Sequence, residues 1–130
     1  MTANAPRPMP FAIMRNAHEA IRASIRLQEE ALESADLDAF REEWRAYVRA
    51  RSVDAAMEDD GMFDLLDRVS AGAITAAGLA AEHDRDRELT AAVDSALPGG
   101  GLAGIRAHWA AWRDNQLAHL EHEEQVMNPL

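Results

Sequence analysis

Three histidines and three carboxylates in this 130-residue chain are spaced as metal ligands on helices would be. Asp54 and Glu58 are four residues apart, as are His119 and Glu123. On a helix such a pair presents two donors on one face, about 5–6 Å apart at Cβ, close enough to chelate one cation or bridge two. His18 and His83 complete the set. Mixed imidazole and carboxylate ligation suits iron, with zinc or manganese as alternatives, and disfavours calcium and magnesium, which prefer all-oxygen shells. The competing reading is a satisfied polar core, with His18 and His83 hydrogen-bonded to Asp54 or Glu58. It leaves three buried carboxylates balanced by only three titratable imidazoles, and each buried ion costs several kcal/mol. Two divalent cations with a bridging oxygen ligand would neutralise the same cluster.

Four helices must position these residues. Prolines stand at positions 6, 8, 10, 98 and 129, so nothing between Phe11 and Leu97 forbids helix. The pattern predicts helix 1 from Pro10 to Glu33, a turn at Ser34-Ala35-Asp36, and helix 2 from there to Val69. Asp36 is placed to cap helix 2, and Asp59-Asp60-Gly61 suggests a break within it. Ser70-Ala71-Gly72 precedes helix 3, which runs to Ala96; Pro98 to Gly101 forms a loop, and helix 4 fills Leu102 to Asn128. Connections this short join antiparallel neighbours, so the expected fold is all-α, an up-down-up-down four-helix bundle over 10–130 with residues 1–9 as a loose arm.

Bundle helices bury positions spaced alternately three and four apart. That stripe carries His18, Ile21, Ile25, Gln28 and Leu32 on helix 1, and Phe40, Trp44, Tyr47, Arg51, Asp54 and Glu58 on helix 2. After a one-residue adjustment near Gly61 it continues through Met62, Leu65 and Val69. Helix 3 contributes Leu79, His83, Asp86, Thr90 and Val93; helix 4 contributes Ile105, Trp109, Trp112, Gln116, His119 and Glu123. Asp86 carries little weight, because a small rotation exchanges it for Arg87. His108 and His122 fall off the stripe and should face solvent, as should the glutamates of 121–124 other than Glu123. The tryptophans should fill the core end away from the site, with Tyr47 packed beside them and its hydroxyl partnered. At a rise of 1.5 Å per residue, antiparallel helices bring His18, Glu58, His83 and His119 to one level within about 5 Å.

Composition narrows the chemistry further. The chain has no cysteine, which excludes disulfides, thiolate zinc sites, iron–sulfur clusters and thiol catalysis. Its 13 cations, all arginine, face 23 acids for a net charge of −10, a poor match to nucleic acid or an anionic membrane. The longest uncharged run, Val69 to Ala81, falls short of the roughly 20 residues that span a bilayer. The first residues lack a basic segment followed by an apolar one, so a cytoplasmic protein is expected.

The lone His of helix 1, the pair on helix 2, Glu82-His83 on helix 3 and His119-Leu120-Glu121-His122-Glu123-Glu124 on helix 4 together resemble the hemerythrin-like, HHE cation-binding proteins. Met62-Phe63-Asp64-Leu65 and Met127-Asn128-Pro129-Leu130 are similar to that family's closing pattern. The resemblance implies a non-heme di-iron centre, with His83 and His119 on one metal, His18 on the other, and Glu58 and Glu123 bridging. Two positions depart from it. Asp54 stands where the family has a histidine four residues before the bridging glutamate, and Arg87 stands where oxygen-carrying members have a further helix 3 histidine. Such a shell is nearer the di-iron carboxylate proteins and makes reversible oxygen transport less expected. The function expected is therefore binding of, or reaction with, a small ligand such as dioxygen, nitric oxide or peroxide. A di-metal oxidase or peroxidase and a metal-free or zinc-stabilised helical interaction module stay open as alternatives.

Overall fold

A computed structural model describes residues 9–57 and 77–127, with 61, 65, 68 and 72 between them; side chains are described over 15–52 and 77–126, apart from 80, and at those four positions. It is all-α, and its helices among the described residues are α1 (Met9–Glu33), α2 (Leu37–Met57), α3 (Leu79–Ala96) and α4 (Leu102–Met127). Among the described residues there is no strand, and no helix is long and apolar enough to cross a membrane. α1 packs on α2 and α3 on α4, and the two hairpins meet mainly along α1 and α4.

The turns form for local reasons. α1 ends where Ala35 takes a left-handed conformation (φ 55°), letting Asp36 N–H donate to Ala31 O at 2.9 Å. Asp36 then caps α2, its Oδ1 accepting from Ala39 N–H at 3.1 Å, as the sequence predicts. Between α3 and α4 the chain turns through Pro98 and Gly99 (φ 68°). A Cβ at Gly100 would lie 1.8 Å from Ala96 O, so the last turn of α3 closes against bare backbone there.

One boundary differs from expectation. The expected third helix does not run unbroken to Ala96: Gly78, at φ 72°, separates helical Ala77 from α3, which begins at Leu79. The longer second helix is described to Met57; Gly61 sits in a wider, π-type turn that fits the expected one-residue adjustment. Asp59, Asp60, Ser70 and Ala71, on which the break and connection were placed, lie outside the described residues, as do residues 1–8 of the expected arm, whereas Met9, also placed in the arm, is the first residue of α1. Leu65, assigned to the core stripe, is instead 49% exposed.

The core follows the stripes elsewhere. Ile21, Ile25 and Leu32 of α1 meet Phe40, Trp44 and Tyr47 of α2, Val93 and Leu97 of α3, and Ile105, Trp109 and Trp112 of α4. Trp112 stands edge-on to both Trp44 and Tyr47, with ring centroids 4.8 Å apart in each case. Trp44 Nε1 donates to Asp94 at 2.7 Å and Trp109 Nε1 to Gln28 at 2.8 Å, so both indoles are buried without losing their hydrogen bond. Gly100→Ala should cost on the order of 1–3 kcal/mol, since the added methyl meets backbone. Gly101→Ala, with open space around it, should stay within about 0.5 kcal/mol; urea unfolding of the two variants checks the contrast.

Candidate metal centre

Glu123 is the hub of the site. Its carboxylate is 1% exposed, and its two oxygens face different helices. Oε1 is 2.8 Å from His18 Nε2 on α1. Oε2 is 2.8 Å from His119 Nε2, one turn back on α4, and 3.4 Å from His83 Nε2 on α3. The donor atoms of His83, His119 and Glu123 lie within 4.8 Å of one another, close enough to share one cation. Four of the six residues singled out in the sequence are thus brought together. Glu58 lies outside the described residues, as does the side chain of Asp54, whose backbone continues α2.

A second ring of carboxylates holds the imidazoles from behind. His18 Nδ1 is 2.9 Å from Glu124, which also accepts two bonds from Arg22 at 2.9 and 2.8 Å. His119 Nδ1 is 2.7 Å from Glu82, whose other oxygen is 2.5 Å from His122 Nδ1. A carboxylate on Nδ1 fixes the tautomer that leaves Nε2 free to face inward. Two expectations need correction here. His122 does not simply face solvent but is half-buried against Glu82, and Glu124 is not a solvated residue but the link between His18 and Arg22. Their signals in the sequence were adjacency and helical spacing: Glu82 precedes His83, Glu124 follows Glu123, and Arg22 is four residues beyond His18.

Below the hub lies a polar layer that the stripes only partly indicated. Asp86 is buried and Arg87 exposed, so the helix rotation that left Asp86 with little weight is settled in its favour. Arg51 is also buried, with Nη2 3.4 Å from His83 Nε2 and Nε 3.9 Å from Asp86. The Tyr47 hydroxyl, expected to find a partner, has none in hydrogen-bonding geometry among the described residues. His108 is exposed, as expected.

The electrostatics fit a cation. Burial favours neutral imidazoles, yet the nearby carboxylates outweigh it and raise His18 (Glu123 and Glu124) and His119 (Glu123 and Glu82) above the ordinary 6.5. Burial likewise opposes the charge on Glu123, but His119, His18 and His83 hold its carboxyl far below the usual 4.5. Without a metal, protons on His18 and His119 can balance Glu123; a divalent cation can replace them. His119 Nε2 is the telling atom. It is buried and close to Glu123, but out of line for a hydrogen bond, as expected when both lone pairs address a third atom. The donor set therefore fits a metal.

A helical bundle with a buried histidine–carboxylate cluster defines a class of metal-binding protein, and comparison with family models specifies it. The hemerythrin HHE cation binding domain model matches residues 9–130, nearly the whole chain, and the protein belongs to that family. No curated protein and no solved structure gives a significant match.

This geometry has two measurable consequences. Replacing Glu82 or Glu124 by Gln should weaken metal affinity by roughly 10–100-fold, measured by chelator competition, because the imidazoles lose the groups that orient them. The pH responses should run in opposite directions with and without metal. Pairing of protonated His18 and His119 with Glu123 stabilises the metal-free fold fully below about pH 6.5 and is lost as pH rises through their raised values. Metal affinity should increase over the same range, because only deprotonated imidazoles bind. Melting curves at several pH values, with and without added cation, read both.

Proposed function

We propose that the protein binds two iron ions and uses them to bind or react with a small ligand such as dioxygen, nitric oxide or peroxide. The observation that carries this is the division of Glu123, one oxygen toward His18 and the other toward His83 and His119. A carboxylate so placed suits a bridge between one metal held by His83 and His119 and another held by His18. Glu58 would supply the second bridge and Asp54 a further oxygen donor. Three carboxylates and two divalent cations leave a charge that one bridging hydroxide neutralises; the mixed imidazole and carboxylate donors and the hemerythrin family favour iron, with zinc or manganese as alternatives. When bound, such a pair of irons supplies open coordination positions and redox equivalents to a small ligand. The protein's own share is to orient the imidazoles through Glu82 and Glu124 and to exclude bulk water from Glu123. Sensing, detoxification and iron handling in the cytoplasm are the roles compatible with this chemistry.

Iron analysis with absorption spectroscopy tests the reading. Wild-type protein should carry about two irons per chain, as di-iron bundles do. His18→Ala should lose one of them and keep the other, whereas Glu123→Ala should lose both. Iron content unchanged by His83→Ala and Glu123→Ala would refute the proposal, zinc alone would favour a structural interaction module, and turnover of an organic substrate would favour an oxidase or peroxidase.

A further inference from the structure

A buried guanidinium stands beside the centre, where a positive charge works against a metal. Arg51 is 6% exposed and reaches from α2 to two groups of α3. Its Nη2 lies 3.4 Å from His83 Nε2, and its Nε 3.9 Å from Asp86 Oδ2. An arginine N–H only donates, so in the first contact Nε2 is the acceptor. A neutral imidazole has one such lone pair, and a metal shared by His83, His119 and Glu123 needs it. Arg51 and a metal therefore compete for the same electrons. As two cations in a poorly screened place they also repel each other.

Asp86 gives the guanidinium somewhere to go. It stands three residues beyond His83 on the same helix and is likewise buried. A fully made guanidinium–carboxylate fork has N···O distances of about 2.7–2.9 Å, so the 3.9 Å pair is loose and has room to tighten. The other oxygen, Oδ1, is buried and accepts no hydrogen bond among the described residues. Movement of the guanidinium toward Asp86 would release His83 Nε2 and pair the buried carboxylate in one step. We infer that Arg51 is a resident cation on the His83 arm of the centre, which takes the Nε2 lone pair until a metal arrives and then closes onto Asp86. The guanidinium thereby sets the affinity of the position served by His83 and His119. This deepens the metal reading given above and rests on it. The sign of the effect separates Arg51 from a supporting residue. Groups that orient ligands weaken metal binding when they are removed, whereas removal of Arg51 should strengthen it.

Zinc titrations by chelator competition, followed with nitrogen-15 spectra of the arginine side chains, supply the test. Arg51→Met, which keeps an apolar stem, should bind zinc about tenfold more tightly than the wild type, since a unit charge beside a dication is removed. Arg85→Met removes an equal charge from an exposed position on α3 and should stay within about twofold. In the wild type, the Nε–H signal that Arg51→Met lacks should exchange with solvent about tenfold more slowly once zinc is bound, as the contact with Asp86 tightens into a hydrogen bond. Asp86→Asn should abolish that slowing. If Arg51→Met fails to fold, Arg51→Gln takes its place. Zinc affinity that is unchanged or weaker in the Arg51 variant, or raised equally in Arg85→Met, would overturn the inference, as would an Nε–H signal indifferent to zinc. A wild type that carries iron while the Arg51 variant binds zinc no more tightly overturns the role of Arg51 and keeps the metal reading. A wild type that shows the Arg51 effect with zinc and takes up no iron does the reverse.

Discussion

The negative charge on Glu123 is the constraint to which the rest of the molecule answers. A carboxylate taken this far out of water costs several kcal/mol unless cationic groups surround it. Three imidazoles from three helices surround it, each turned so that Nε2 faces the carboxylate, and His18 and His119 are held toward their charged form. The rotations of α1, α3 and α4 about their own axes are thereby linked. A helix turned by one residue would withdraw its histidine and leave the charge partly uncompensated.

The same constraint spreads outward in layers. Glu124 and Glu82 hold the far nitrogens of His18 and His119, and Arg22 and His122 in turn hold those glutamates. An alternating line of nitrogen bases and carboxylates therefore crosses the bundle from the α1 surface to the α4 surface. Toward the hairpin turns the composition changes to aromatic packing, where Trp44 and Trp109 are held in place by Asp94 and Gln28. Tyr47, Arg51 and Asp86, all buried, lie between these two regimes.

The hub was legible in the sequence because helical periodicity is strict. The three-four stripe placed His18, His83, His119 and Glu123 inward, and the rise per residue put them at one level. Periodicity is weaker where a few degrees of rotation decide the outcome. Asp86 and Arg87 are adjacent, and only packing shows that the aspartate turns inward and the arginine outward. Glu82 and Glu124 escaped for a different reason: groups that support a buried residue from the boundary look, in a sequence, like ordinary surface charge. The start of α3 turned on Gly78, whose left-handed backbone is permitted by its composition but not dictated by it. Leu65 shows the limit of extending a stripe beyond an irregular turn.

The pairing of α1 with α4 also bears on the order in which the chain assembles. Within the first hairpin, Ser24 donates to Glu43 across a separation of 19 residues, whereas His18 and Glu123 are 105 apart. Closing the longer loop costs about 1.5 kcal/mol more in chain entropy. Each hairpin can thus form from nearby contacts, and the buried carboxylate meets His18 only when the two halves dock. His83 and His119 already meet Glu123 within the second hairpin, and His18 completes the surrounding at that last encounter, which makes the His18 contact a clasp between the two halves.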